Sequence, residues 1–326
     1  MRKFLMAAML LPALLLLSCQ KESSELQQEA KPADGIVALL NNKSVETNNA
    51  GTFKSKSKKA RQARFQLLSF AIARAGLANE LNNPKFAYTL FAPTDEAFAE
   101  IGLGSRQAIN SVPKEKLKAI LLYHVLGSKV LAAQVPTTYT ELTMLSNDKA
   151  YIIRNGAGVY INGVPVVAAD ILDKSAVIHA IDRILMPPAG NIVDVAAANP
   201  NFTYLVAAVQ RAGLVEALSG AGPLTVFAPT NQAFIDAGFP TIASIQAAPP
   251  AALIPILTYH VAAGRVFSSD LSDGQMLTML SGGTTTILLA NGAQIDGASS
   301  APSNIIQTDI VATNGVVHVI DRVLLP

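Results

Sequence analysis

The chain reads as two α+β domains of one kind laid end to end, and three observations predict this. A ten-residue run, Thr89-Leu90-Phe91-Ala92-Pro93-Thr94-Asp95-Glu96-Ala97-Phe98, returns as Thr225-Val226-Phe227-Ala228-Pro229-Thr230-Asn231-Gln232-Ala233-Phe234, and Tyr123-His124-Val125 returns as Tyr259-His260-Val261 across the same 136 residues. A period that long gives each copy its own core, unlike the short units of a solenoid. Within each copy, helical periodicity comes first and strand alternation follows, which is the order of an α+β domain. A single cysteine in 326 residues leaves no disulfide framework, so apolar burial must hold both copies.

The first element is an address. Arg2 and Lys3 precede an apolar stretch, Phe4 to Leu17, that is too short to span a membrane, so residues 1–18 read as a signal peptide. The stretch ends Leu16-Leu17-Ser18-Cys19, which resembles the lipobox of bacterial lipoproteins. That resemblance implies cleavage before Cys19 and attachment of lipid to it. Gln20 stands where an aspartate would resemble an inner-membrane retention signal. The expected location is therefore the outer membrane, facing the periplasm or the cell surface. Residues 19–32 are polar and read as a flexible tether.

Without Arg2 and Lys3 the chain holds 23 basic and 23 acidic residues. From Cys19 to Pro187 there are 20 basic and 15 acidic residues, and from Pro188 onward three arginines face eight acids. Opposed fields of this kind favour head-to-tail contact between molecules or between the two domains. Two solvated surfaces that drifted apart after duplication are the other reading. No basic excess marks the chain for nucleic acid.

The copies divide at Met186-Pro187-Pro188-Ala189-Gly190, giving domains over 33–187 and 188–326. Between Asn191 and Leu218, apolar residues recur at helical spacing, and Asn199-Pro200-Asn201 splits them into two helices. A short strand follows at Thr225-Val226-Phe227. Thr230 then N-caps a helix, as Thr94 does in the first copy, where Asp95 and Glu96 meet the positive end of the helix dipole. The next helix is expected over Lys114 to Leu126, or Pro250 to Ala262, ending at the glycines beyond. Strands complete each copy, with glycine-bearing turns at Ile161-Asn162-Gly163 and Ile295-Asp296-Gly297. The second copy inserts residues around Ser299–Ser303. The first carries a lysine-rich insertion, 43–60, that interrupts its opening helix and reads as a disordered loop. Such a loop is either a contact for anionic lipid or glycan, at about 1 kcal/mol per lysine near an anionic surface, or simply solvated.

Phe-Ala-Pro-Thr-(Asp/Asn)-x-Ala-Phe, then Tyr-His, then a closing His-x-Ile-Asp-Arg-x-Leu-x-Pro resembles the fasciclin-like domain. The ordered set occurs twice and covers essentially all of 33–326. The resemblance implies a wedge or sandwich of β-strands with helices packed from the N-terminal half of each copy. It also implies a secreted or membrane-anchored protein of cell adhesion, matrix contact or biofilm surfaces. Two departures are the basic insertion and Pro255, which interrupts the helix leading to Tyr259-His260. In some animal members a segment around the Tyr-His motif is linked to integrin contact, which maps by position onto Tyr123, His124, Tyr259 and His260. The apolar flanks of both pairs give the other reading, burial with the polar atoms satisfied inside the domain.

The four histidines are all repeat-equivalent, His124 with His260 and His179 with His318. His179 and Asp182, or His318 and Asp321, lie on expected strands where residues three apart face opposite ways, so neither pair chelates locally. No metalloprotease helix, cysteine ligand cluster, nucleophile elbow or phosphate loop is present, and the sequence implies no catalytic residue, metal or cofactor. The expected function is a non-enzymatic, lipid-anchored module that binds a protein, matrix or glycan partner, or a second copy of itself. The alternative is a carrier for a glycan or small apolar ligand. No tryptophan is present to stack a sugar, which leaves Tyr139, Tyr151 and Tyr160 for that task. A hydrolase would require a histidine within hydrogen-bond reach of a serine or carboxylate in an open cleft.

Overall fold

A computed structural model describes residues 35–42, 44–46 and 62–326. The signal peptide, Cys19, the tether and most of the insertion (Lys43 and 47–60) lie outside the described residues. Each copy is α+β, and its strands join in a seven-membered sheet of the same order. In the first copy the sequence of neighbours is Val125–Leu126, Tyr88–Pro93, Ala176–Ile181, Val164–Leu172, Gly158–Ile161, Lys149–Asn155 and Thr140–Thr143. The second repeats it with Val261–Ala263, Leu224–Pro229, Gly315–Ile320, Ser303–Ala312, Gln294–Asp296, Thr284–Leu288 and Met276–Thr278.

One pair in each sheet is parallel. Tyr88–Pro93 runs alongside Ala176–Ile181 with Phe91 opposite His179, and Leu224–Pro229 runs alongside Gly315–Ile320 with Phe227 opposite His318. Both faces of this pair are covered, which is why the strands read as unbroken apolar runs. On one face Leu90 and Ile178 meet the helices through Leu68, Ile72 and Leu121. On the other, Phe91 and Ile181 meet Tyr123, Ile152 and Ile161 from the folded-over half of the sheet. The second copy repeats this with Val226, Val317 and Leu257 on the helical side and Phe227, Tyr259 and Ile287 on the other.

The repeated sequence run builds this junction. Thr89 is fully buried, and its hydroxyl donates to Ser128 O at 2.7 Å and accepts from Val130 N–H at 2.9 Å. Thr225 holds Gly264 O and Val266 N–H in the same way, at 2.8 and 2.9 Å. Thr94 and Thr230 cap their helices, each accepting the N–H three residues on at 3.2 Å. Asp95 does more than meet its own helix dipole, because its carboxylate also accepts Leu67 N–H at 2.8 Å in the first turn of the helix Gln66–Ala75.

Four expectations need correction. The helices before the Tyr-His motifs end at Leu122 and Thr258, not at the downstream glycines, because the chain turns there and enters the sheet as Val125–Leu126 or Val261–Ala263. Pro255 does not interrupt its helix: Pro250–Thr258 runs through it. The proline removes only the bond to Ala251 O, and that carbonyl belongs to an exposed residue that water can serve. Asp182 and Asp321 stand one residue past the strand ends at Ile181 and Ile320. The edges of the insertion are paired, with Val45–Glu46 antiparallel to Gln62–Ala63. The turn Asn162-Gly163 forms as expected for a two-residue hairpin, with φ of 49° and 75°.

Candidate functional site

Tyr123 and His124 are fully buried, and Tyr259 and His260 are nearly so. His124 Nδ1 donates to Ile120 O at 2.8 Å, and its Nε2 accepts Leu185 N–H at 3.0 Å. His260 repeats this with Ile256 O at 2.8 Å and Leu324 N–H at 2.9 Å. Each imidazole thus donates to a carbonyl of the last helical turn, Ile120 O or Ile256 O (the latter shared with Tyr259 N–H), and ties that turn to the segment after the final strand. The tyrosine beside it donates to Lys149 O at 2.8 Å, or to Thr284 O at 2.6 Å. Burial pushes both histidines down to about 4.

His179 and His318 use the opposite tautomer. Nε2 donates to Val130 O at 2.9 Å and to Val266 O at 2.8 Å, while Nδ1 accepts the N–H of Asp170 or Asp309 at 3.3 Å. Each aspartate sits in a bulge with φ of 56° or 64°, a left-handed conformation that aspartate tolerates. All eight imidazole nitrogens are therefore engaged by backbone groups, and none faces a serine or carboxylate. Among the described residues no three His, Cys, Asp or Glu side chains converge on a metal position.

The surface chemistry lies where the two copies meet. Tyr139 packs on Phe267 with ring centres 5.5 Å apart and donates to Asp270 Oδ1 at 2.7 Å. The Arg265 guanidinium lies 4.1 Å over the Tyr151 ring. Arg183 reaches across to Asp309 Oδ2 and Thr308 Oγ1, each at 3.1 Å. Asp309 is almost wholly buried and also accepts Ser268 N–H at 2.7 Å. Gly163 is required at the contact, since a Cβ there would stand 2.7 Å from the Asp309 carboxylate. Tyr139 and Tyr151 are thus committed to the seam, and only Tyr160 of the three expected sugar platforms lines open space.

That space is a groove of about 1220 Å³ running beside the seam, with Ile101, Tyr160, Asp182 and Met186 on one wall and Ser269 and Ile306 on the other. A second, wholly apolar cavity between Leu205, Val209 and Val226 measures about 30 Å³, room for about one water. Asp182 is the unusual group in the groove. Its equivalent, Asp321, accepts Ser303 Oγ–H at 3.1 Å, Asn304 N–H at 2.8 Å and the Asn304 amide at 2.6 Å. In the first copy Val164 and Pro165 occupy those two places and offer neither hydroxyl nor N–H. One Asp182 oxygen is left buried without a partner, and burial raises the carboxyl to about 6.

Sequence reasoning did not find Arg183, Arg265, Phe267 or Asp309. The closing Ile-Asp-Arg triplet marked Arg183 and Arg322 as repeated, but only the docking of the copies shows that one of them has a carboxylate to meet.

Two α+β copies of one fold, with their histidines bonded to backbone groups, define a tandem of homologous domains. The chain belongs to the fasciclin-domain family, whose model matches residues 63–187 and again 200–326. It is 39% identical over 166 residues to Protein sll1483 of Synechocystis sp., covering 50% of this chain and 89% of that protein. It is 30% identical over 273 residues to transforming growth factor-beta-induced protein ig-h3 of Oryctolagus cuniculus, covering 78% of this chain and 35% of that one. Human periostin is 28% identical over 251 residues, with 74% and 29% covered, so the chain spans about a third of these animal relatives. Among solved structures it is similar to a FAS1 domain pair from the insect cell adhesion molecule fasciclin I, with a TM-score of 0.40 and 18% identity over 80% of this chain and 96% of that one.

Two outcomes follow. His124→Ala strips partners from two buried backbone groups and should cost about 2–4 kcal/mol in urea unfolding. Because the folded rings refuse protons that unfolded ones accept, stability should be full above about pH 6.5 and drain as pH falls toward 4, and this slope should lessen in the variant. Asp182 has the opposite sign: the fold holds its proton up to about pH 6, so its ionisation costs stability as pH rises from about 4 to 6. Asp182→Asn should then raise the melting temperature at pH 7.5, by the equivalent of about 1–2 kcal/mol, and leave it unchanged at pH 4.

Proposed function

We propose that this tandem is a non-enzymatic interaction module of the cell envelope, held at the outer membrane by lipid on Cys19 and binding a protein or matrix partner through exposed strands and loops. The observation that carries this reading is the use of every imidazole nitrogen by the backbone, which leaves the histidines no free base to offer a substrate. Membership of the fasciclin-domain family supports it, since adhesion is what the family resemblance implies. Tyr123, His124, Tyr259 and His260 act in this reading as fold supports rather than as contact residues, because none of them reaches the surface. Two linked domains also gain from effective concentration when both engage one surface.

A second reading, a carrier for a glycan or an amphipathic small molecule, is favoured by the groove beside the seam and its partnerless Asp182 oxygen. No described helix is long and apolar enough to cross a membrane.

Two experiments test the anchor and separate the two readings. Cys19→Ala should move the chain from the membrane fraction to the soluble one and abolish incorporation of labelled palmitate; unchanged fractionation would remove the anchor. The polypeptide from Lys21 onward should bind cells or matrix proteins saturably, with binding unchanged in Asp182→Asn. Binding confined to a glycan array and weakened by that substitution would make the carrier reading the correct one.

A further inference from the structure

The seam joins two different faces, and because the copies are built alike, each copy also carries a version of the other's face. The second copy docks with Arg265, Phe267, Asp309 and Val311. The first copy presents Lys129, Leu131, Asp170 and Leu172 at the same positions. Shared framework bonds fix this equivalence: Asp170 Oδ1 accepts Ala132 N–H at 2.9 Å, as Asp309 accepts Ser268 N–H at 2.7 Å. Where the seam covers them, Phe267 is 0% and Val311 7% exposed, whereas their counterparts Leu131 and Leu172 stand 37% and 62% exposed. Asp309 meets Arg183, but Asp170 is exposed and meets no cation among the described residues.

The receiving face is duplicated in part. The first copy receives with Tyr151, Gly163 and Arg183, and Glu141 pairs across the strands with Tyr151. In the second copy Met276 pairs with Thr286 at the same two positions and Arg322 stands at the position of Arg183, while a Cβ at Gly297 would meet Ser300 Oγ of its own loop at 2.7 Å. Met276 is 66% exposed, and Arg322 is exposed without an ion-pair partner among the described residues. The copies as wholes carry opposite net charge: residues 62–187 hold twelve basic and ten acidic side chains, and 188–326 hold three and eight.

We propose that a second copy of this chain docks on the Leu131–Leu172 face, its Arg322 meeting Asp170 and its Met276 covering the two leucines. Such a contact joins unlike faces and leaves one of each free at the ends, so it propagates as a linear chain rather than closing as a pair. It goes beyond the adhesion reading and holds or fails independently of it.

Sedimentation of the polypeptide from Lys21 onward, which keeps the whole compact unit Asp34–Pro326, tests this. The weight-average mass should climb with concentration past the dimer without a plateau, and less steeply at high salt. Leu172→Glu blocks one face and Arg322→Glu the other. Both positions are exposed, so folding, checked by circular dichroism, should be unaffected. Each variant alone should associate at least about tenfold more weakly. An equimolar mixture of the two has one working junction and should stop at a 1:1 dimer. Asp170→Asn, which keeps the bond to Ala132 N–H and removes the charge, should weaken association and abolish its salt dependence. A constant monomer mass, a plateau at the dimer for the unaltered chain, or a mixture that stays monomeric would each overturn the proposal.

Discussion

In each copy the strand set among the helices of the first half lies parallel to a strand some ninety positions later, and the course of the chain depends on that pairing. A parallel neighbour cannot be reached by a hairpin, so the chain must leave the sheet, cross and return. The repeated residues serve that crossing. Thr89 and Thr225 fix the loop where the chain leaves. His124 and His260 fasten the helix before it to the segment after the last strand. His179 and His318 reach from the last strand to the carbonyl of Val130 or Val266 and to the bulge opposite. The two kinds of histidine carry their proton on different nitrogens because one must give to a helix carbonyl through Nδ1 and the other to a loop carbonyl through Nε2.

Duplication gave two copies of this frame, and several of their differences fall where they touch or where a turn was rebuilt. The Ser303-Asn304 pair satisfies Asp321, and the Val164-Pro165 pair leaves Asp182 partly bare. Leu131 became, or replaced, an aromatic ring at the equivalent of Phe267, and only the aromatic version is buried against the neighbouring copy. The second copy turns by a longer loop near Gly297, whereas the first uses Asn162-Gly163, whose lack of a Cβ lets the Asp309 carboxylate approach.

Much of this was legible in the sequence, and the limits have physical causes. The duplication, the order of helices and strands, the threonine caps and the apolar flanks of the Tyr-His pairs follow from periodicity and capping chemistry. The helix ends at Leu122 and Thr258 were not legible, because the chain turns there into the sheet and the imidazole two residues on takes a helix carbonyl four residues back, well before any glycine. Pro255 misled for a related reason: a proline in the second turn of an exposed helix removes a single bond that water replaces. The Arg183–Asp309 pair joins residues 126 positions apart in different copies, and no local pattern announces such a partner. Asp182 shows the converse. Its motif is intact, and its unusual state comes from the missing N–H of Pro165 on a neighbouring strand.

The parallel pair also sets how a copy bears load. Tyr88 opens the first of its strands opposite Ala176, and Ile181 closes the other opposite Pro93. A pull on the chain entering at Tyr88 and leaving at Ile181 therefore slides the two strands past each other and strains all the ladder bonds at once. An antiparallel edge such as Thr140–Thr143, pulled from its hairpin, would unzip one pair at a time. Once the outer helices have yielded, each copy resists tension along its own chain as a shear joint, with the buried histidines as rivets on either side.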